Sequence, residues 1–250
     1  MKELVSIITP AYNSKRFIED AIESVIAQSY QNWEMIIVDD ASTDESIEII
    51  QKYVNREYRI VLFSNDKNLG ASESRNLAIR EAKGNYIAFL DSDDIWLPNK
   101  LEKQIALMEK EKIAMSYSNY ETINKDGLVT GKFLSPLKIT YQDMLKTSYI
   151  GTLTTIYSVR KLGKIYFLNI GHEDYVLKLE ILKKIDYAIG IDEVLAQYRI
   201  TENSLSSNKL KSALWQWNIY RNIEKISILK SIGYFISYTY NGFTKYKNNS

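Results

Sequence analysis

Three aspartates, Asp91, Asp93 and Asp94, fall within four positions of the stretch FLDSDDIWLP (89–98), directly after the apolar run Tyr86–Leu90. Carboxylates this close repel one another. A capped turn would tolerate them, because Asp and Ser suit turns and helix starts. A divalent cation would use them. Mg2+ and Mn2+ take oxygen ligands, typically one or two carboxylates with phosphate oxygens completing the shell. A cation bridging these acids to a diphosphate turns the repulsion into attraction and neutralises charge on a departing diphosphate. A second acidic pair, Asp39 and Asp40, opens the stretch DDASTD (39–44). Helix N-capping accounts for an acid such as Asp44. A cap needs one acid, however, and adjacent pairs recur in both clusters.

These groups need elements to hold them. Leu4–Thr9, Trp33–Val38, Ile60–Phe63 and Tyr86–Leu90 read as buried strands. Helical patterns over Phe17–Ser29, Asp44–Val54, Ala71–Lys83 and Leu97–Lys112 alternate with them, the third stopping at Gly84. Such alternation predicts an α/β fold with a mostly parallel central sheet flanked by helices. In open parallel sheets, ligands bind beyond the carboxyl ends of the strands. TPAYN (9–13), DDASTD and DSDD (91–94) all fall at such ends, so three segments converge on one edge of the sheet. Beyond residue 112 the pattern is less regular. It predicts strands at Ile113–Tyr117 and Val194–Tyr198, a hairpin turn at NKDG (124–127), a short helix begun by Thr140 with Asp143, and a helix over Glu173–Lys184.

Taken together, VSIITPAYN (5–13), IIVDDASTD (36–44), NLGASESRN (68–76), YIAFLDSDDIWLP (86–98), EDYVLKL (173–179) and YRITENSLS (198–206) resemble the inverting glycosyltransferases of family 2 that synthesise bacterial surface polysaccharides. The resemblance covers about the first 208 residues in the family's order and spacing. It implies a Rossmann-like GT-A domain over 1–208, with a nucleotide-sugar half (1–112) and an acceptor half (113–208). The implied reaction moves a sugar from a nucleotide-linked donor, most often a UDP-sugar, to a hydroxyl of a glycan acceptor, expected to be lipid-linked. On the donor side the resemblance places Pro10 and Tyr12, the latter against the base. Asp39 or Asp40 accepts a hydrogen bond from base or ribose. Asp91 and Ser92 lie near the ribose, and Asp93 ligates Mn2+ or Mg2+. Arg75 lies beside the phosphates or braces the acidic loop. On the acceptor or sugar side it places Asp94, supporting the loop or the sugar, Glu173, contacting sugar or holding a loop, and Arg199, which could also face the phosphates, with Asp174 as the general base. That carboxylate would take a proton from the attacking hydroxyl, and a single in-line displacement would invert the anomeric carbon without a covalent intermediate. One departure is Thr201, which stands where the family often has a metal-binding histidine. The chain's lone histidine is His172.

The totals set outer bounds. The chain has 250 residues, 45% hydrophobic and 25% charged, which suits one large α/β domain with an appendage. No cysteine is present, which excludes thiolate chemistry and disulfides and suits a reducing cytoplasm. Net charge is +1, so a nucleic-acid partner is not expected. The N-terminal apolar run is too short for a signal peptide and is broken at Pro10. No stretch reaches the roughly 20 apolar residues of a membrane span. From Lys209 onward seven Lys/Arg face one acid, Glu224, which leaves about five net negative charges on the first 208 residues. This helical, aromatic and basic tail (209–250) predicts a contact with the inner leaflet of the plasma membrane, or packing on the catalytic domain or a second subunit. Two other functions share parts of the pattern. A sugar nucleotidyltransferase usually opens on a glycine-rich loop, and TPAYNSKRF (9–17) has no glycine. A non-catalytic nucleotide-binding scaffold would lose acids from DSDD or HEDY (172–175), and all are present.

Overall fold

Contiguous apolar runs, rather than alternating ones, mark strands buried on both faces. The computed structural model, which describes residues 3–200 and 209–245, shows this directly. Strands β1 (Val5–Ala11), β2 (Trp33–Asp39), β3 (Ile60–Ser64) and β4 (Tyr86–Phe89) pair in parallel in the order β3-β2-β1-β4. Because successive side chains point to opposite faces, each run divides between two cores. Val5, Ile7, Met35, Ile37 and Ala88 face helices α1 (Ile18–Ile26), α2 (Ser46–Val54) and α4 (Lys100–Glu111). Ile8, Ile36, Val38, Ile87 and Phe89 face α3 (Ala71–Glu81), α5 (Tyr141–Lys146) and α7 (Glu173–Leu182). Gly84 is required just before β4. A Cβ there would lie 2.6–2.8 Å from Ser6 and the Leu4 carbonyl.

Past β4 the sheet becomes mixed. Strand β9 (Ile156–Ser158) runs antiparallel between β4 and β6 (Met115–Ile123). Strand β10 (Ala188–Arg199) runs parallel to β6 and carries the short β5 (Ile95–Trp96) and β8 (Lys138–Ile139) antiparallel on its other side. The NKDG turn closes a hairpin from β6 to β7 (Val129–Phe133), with Asn124 Oδ1 accepting from the amides of Asp126 and Leu128 at 2.9 and 3.0 Å. Thr140 and Asp143 form the expected reciprocal cap on α5. The helix expected from Leu97 starts later, at Lys100. Leu97 instead gives its amide to Leu195, which stitches β5 to β10.

The tail packs on the body. A helix at Lys209–Asn218 (α8, numbered after the short α6, Val159–Leu162) passes through one π-helical turn at Ile219–Ile223 into α9 (Ile228–Lys245). Ile219 and Tyr220 are fully buried in the core beside α5 and α7, and the Tyr220 hydroxyl donates to the Leu145 carbonyl at 2.6 Å. Glu224 accepts from Tyr141 at 2.6 Å and pairs with Lys183 at 3.2 Å. Tyr238 meets Tyr175 edge-on at 6.5 Å, and Phe235 meets Trp217 at 5.8 Å. Tyr234, Phe235 and Tyr238, three of the tail aromatics from which membrane contact was expected, therefore face the protein. Tyr220→Ala is expected to destabilise the fold by about 3–5 kcal/mol, the range for truncating a buried aromatic. Tyr220→Phe removes a hydrogen bond and should cost about 0.5–1.5 kcal/mol. Urea midpoints of the two variants measure the difference. Among the described residues, no helix is long and apolar enough to cross a membrane.

Candidate active site

Parallel pairing in register brings the carboxyl ends of β2, β1 and β4 side by side. Ala11 pairs with Asp39, the Asp40 amide donates to the Ala11 carbonyl at 2.8 Å, and the Leu90 amide donates to Ile8 at 3.1 Å. Pro10 pairs with Val38 one step before the Ala11–Asp39 pair, and Tyr12, half exposed, follows directly after β1. The loops behind them are laced together. The Ser14 amide donates to Ser46 Oγ at 2.8 Å, the Lys15 amide to Asp44 at 3.2 Å, and the Thr43 amide to Asn13 Oδ1 at 2.8 Å.

The two adjacent acids of β2 have different surroundings. Asp40 is almost fully buried, and both its oxygens are engaged. It accepts from Asn65 Nδ2 at 2.7 Å and from the amides of Leu69 and Gly70 at 2.9 and 2.7 Å. Burial opposes its charge, but the Leu69, Asn65, Gly70 and Ser74 hydrogen bonds outweigh that and hold the carboxyl below the usual range. Asp40 thus fixes the loop that starts α3, where Gly70 has φ +90°. Asp39 is fully buried as well, but its partners lie within its own turn: it accepts from Ser42 N at 2.9 Å and from Ser42 Oγ at 2.5 Å. Asp40→Ala would leave several donors unpaired, each costing about 1–3 kcal/mol. A lower thermal midpoint together with weaker nucleotide binding is the expected result.

The acidic turn after β4 is distributed over three environments. Asp91 pairs with Arg75 at 2.6 Å. Arg75, its side chain only 8% exposed, also reaches Glu173 at 3.4 Å and lies over the Phe167 ring at 5.1 Å. Ser92 is partly exposed between the acids. Asp93 is partly exposed and forms no ion pair among the described residues. Burial first, then the charge of Asp91, pushes it up to about 6. Asp94, expected on the acceptor side, is buried and accepts the Arg199 amide at 2.9 Å. Burial and the neighbouring acids raise it well above the usual carboxylate range.

Arg199, also expected on the acceptor side, is 3% exposed and engaged with the protein. Its Nε donates to the Asp93 carbonyl at 2.9 Å, and Nη2 pairs with Asp20 at 2.9 Å. Nη1 donates to the Asn124 and Lys125 carbonyls at 3.3 Å, and the guanidinium lies 4.4 Å from the Phe17 ring centre. In this structure it braces the acidic turn from behind. A hollow of about 600 Å3 between α1 and β5 takes in Arg199 but none of the Asp91–Asp94 acids.

Helix α7 brings up the other wall. Glu173 and Asp174 occupy its first turn, after His172 in the left-handed region at φ +60°. Asp174 Oδ2 accepts from Thr152 Oγ1 at 2.9 Å and from Lys178 Nζ at 3.0 Å. Oδ1 takes no hydrogen bond from the described residues, and the side chain keeps 39% of its surface exposed. Lys178 is 1% exposed, one helical turn further on, and also donates to the Ile150 carbonyl at 2.9 Å. Desolvation works against the carboxylate's charge, but Lys178, Thr152 and the more distant Arg75 outweigh it and hold Asp174 far below its ordinary range. Lys178 and Thr152 were missed in the sequence. The i,i+4 spacing from Asp174 was the available signal for Lys178. For Thr152 no signal existed.

Asp91, Arg75 and Glu173 therefore form one chain of ion pairs from the end of β4 to the start of α7, and Asp174 is the next residue of that helix. Asp94 and Arg199 support it from behind, Tyr12 lies half exposed past the end of β1, and Asp39 is buried beneath at the end of β2. Among the described residues, no three His, Asp or Glu side chains converge to hold a metal unaided. The donor set fits a hard cation in another way. Asp93 is a partly exposed carboxylate whose repulsion from Asp91 is offset only in part by Arg199 and Arg75, and the remaining ligands would come from a diphosphate and water. Thr201, in the place of the expected histidine, falls in 201–208, outside the described residues.

The profile of the family described as "Glycosyl transferase family 2" matches residues 6–163. The chain is 43% identical to the putative teichuronic acid biosynthesis glycosyltransferase TuaG of Bacillus subtilis over 98% of both chains. It is 41% identical to the UDP-Glc:alpha-D-GlcNAc-diphosphoundecaprenol beta-1,3-glucosyltransferase WfgD of Escherichia coli, over 98% of this chain and 97% of that one. Two solved structures share the fold. TarS 1–349 of S. aureus with UDP has a TM-score of 0.72 at 21% identity, covering 98% of this chain and 72% of that one. The mannosyltransferase PcManGT of Pyrobaculum calidifontis, with GDP-Man and Mn2+, has a TM-score of 0.71 at 16% identity, covering 94% and 70%. The fold is that of the GT-A glycosyltransferases. The chain belongs to glycosyltransferase family 2 and is a glycosyltransferase.

Proposed function

We propose that the enzyme moves a sugar from a UDP-linked donor to a hydroxyl of a lipid-linked, diphosphate-bearing glycan acceptor, inverting the anomeric carbon, in the synthesis of a surface polysaccharide. The observation that carries this reading is the state of Asp174. One oxygen is held by Lys178 and Thr152 while the other is uncommitted at a partly exposed position. Asp174 Oδ1 receives the acceptor's hydroxyl proton as that oxygen bonds to the anomeric carbon. The bond from that carbon to the donor diphosphate breaks, and its electron pair leaves with the diphosphate. Tyr12 and Asp39 hold the base and ribose at the edge of β1 and β2. Arg75, fixed by Asp91 and Glu173, carries positive charge at the junction of the donor and acceptor walls. Asp93 would hold a divalent cation, Mn2+ or Mg2+, whose chemistry there is to neutralise charge on the leaving diphosphate.

The substrate class draws on the relatives. WfgD acts, by its name, on a diphosphoundecaprenol-linked sugar with UDP-Glc, at 41% identity over nearly the whole chain. TarS has been solved with UDP-GlcNAc. An acceptor anchored in lipid implies an enzyme that works peripherally on the inner face of the membrane. The test is UDP release from a panel of UDP-sugars with Mn2+, with and without a polyprenyl-diphosphate-linked sugar. Acceptor-dependent release with one donor is expected. Pyrophosphate as the product, or nucleotide binding with no turnover under any condition, would overturn the reading.

A further inference from the structure

Helix α9 has two apolar faces. At 100° per residue, Tyr234, Phe235 and Tyr238 lie on one side, and the contacts above place that side against the body. Ile228, Leu229, Ile232, Ile236 and Tyr240 fall within an arc of about 120° on the other side. Their exposures are 56, 79, 44, 63 and 68%. This stripe is continuous over three turns, each of its residues at least 44% exposed. A monomer gains nothing by exposing five large apolar side chains in a row.

We infer that this stripe is the surface by which the enzyme rests on an anionic lipid bilayer. Charge complementarity identifies the occupant. The segment 225–245 contains no acid and carries Lys225, Lys230 and Lys245. Lys225 and Lys230 are exposed and form no ion pair among the described residues. The tail's single acid, Glu224, is 2% exposed and neutralised by Lys183. Along its own segment the apolar stripe is therefore accompanied only by positive charge, the composition of helices that lie in the headgroup region. The first 208 residues carry net negative charge, so an anionic surface attracts the tail and repels the body, which orients the molecule. A second copy of the chain fits poorly. It would bring two cationic surfaces together over five apolar side chains, where a stable interface uses about 20–30 residues a side.

This inference rests on the lipid-linked acceptor proposed above, and it adds geometry to it. The inward face of α9 is pinned to α7 through Tyr238 and Tyr175, and Tyr175 directly follows Asp174. It is also tied to α5 through the Tyr234 hydroxyl and Gln142. A bilayer against the outer stripe is thus held at a fixed distance from Asp174, set by the body rather than by a flexible anchor.

Flotation of the full chain with vesicles tests it. The vesicles would be phosphatidylcholine alone or with about 30% phosphatidylglycerol. The wild type is expected to float with the anionic vesicles and to be released by about 0.5 M NaCl in part. The variant Leu229→Gln/Ile236→Gln/Tyr240→Gln should bind about tenfold less, and Lys225→Glu/Lys230→Glu should lose the preference for anionic lipid. Turnover on a short-chain, water-soluble acceptor and the thermal midpoint should be unchanged in both. Binding by the triple variant equal to wild type, absence of binding by the wild type, or a dimer that the triple variant converts to monomer would each overturn the inference. Flotation that depends on the stripe, without sugar transfer in any assay, would leave it standing and remove the proposed reaction instead.

Discussion

Replacing Asp174 with asparagine lowers kcat by about 10²–10⁴-fold, the usual contribution of a general base. Asparagine keeps the shape of the side chain and can still accept a bond from Lys178 or Thr152, so the helix start is preserved. It cannot take the acceptor's proton. Donor KM should change little, because Asp93, Asp39 and Tyr12 are untouched. A fall in kcat with donor KM held is the expected signature, and unchanged turnover would remove Asp174 from the mechanism. Lys178→Met is the companion. In the wild type Lys178 holds the Asp174 carboxyl far below its ordinary range, so the base stays ionised through neutral and mildly acidic pH. Without that cation, desolvation is the largest remaining influence and raises the carboxyl. Activity is therefore present above the folded pKa and is lost as pH falls through it, at a higher pH in the variant. The pH profile of kcat/KM should show an acid limb moved upward in Lys178→Met and restored toward wild type in Lys178→Arg. A uniform loss at every pH would mean that Lys178 acts only as a structural group. Some loss of stability is expected too, about 1–3 kcal/mol for the Ile150 carbonyl left unpaired.

Local pattern made the nucleotide half legible. The strands VSIITPA, WEMIIVD and YIAF are almost continuously buried runs, and amphipathic helices follow the first two. Their parallel pairing then aligned Asp39, Asp40 and Asp91 on one edge without further information. The division of labour between Asp39 and Asp40 was not legible. It depends on where Asn65, Leu69 and Gly70 lie in space, some 25–30 residues away. Nor was Lys178. A lysine on a helix reads as a solvent-facing residue, and its burial depends on Ile150 and Thr152, which approach from a different segment. The acceptor half was harder for a physical reason. Strands β8 and β9 have two and three residues, too short for any period to show. In the tail, the sequence showed an aromatic and basic helix, but only packing could decide which face turned inward.

The environment of Asp93 predicts the second large effect. Of the three acids in its turn, Asp91 is compensated by Arg75 and Asp94 by the Arg199 amide, while Asp93 forms no ion pair among the described residues. Its repulsion from Asp91 is relieved when a cation arrives, and a cation at a leaving diphosphate is worth several kcal/mol. A loss of about 3 kcal/mol corresponds to roughly 10²-fold in rate. Asp93→Ala should therefore lower kcat/KM for the donor by about that factor, and added Mn2+ should not restore it. Chelation should inactivate the wild type and leave the residual rate of the variant nearly unchanged. Asp94→Asn is the control. Burial raises Asp94 well above the usual range, which favours its neutral form, and an amide oxygen can still accept the Arg199 amide. That variant should retain activity within about threefold, because burial already disfavours the charge that it removes. If Asp94→Asn abolished Mn2+-dependent turnover while Asp93→Ala spared it, the cation would belong to Asp94, and the buried acid would have to turn outward to reach it.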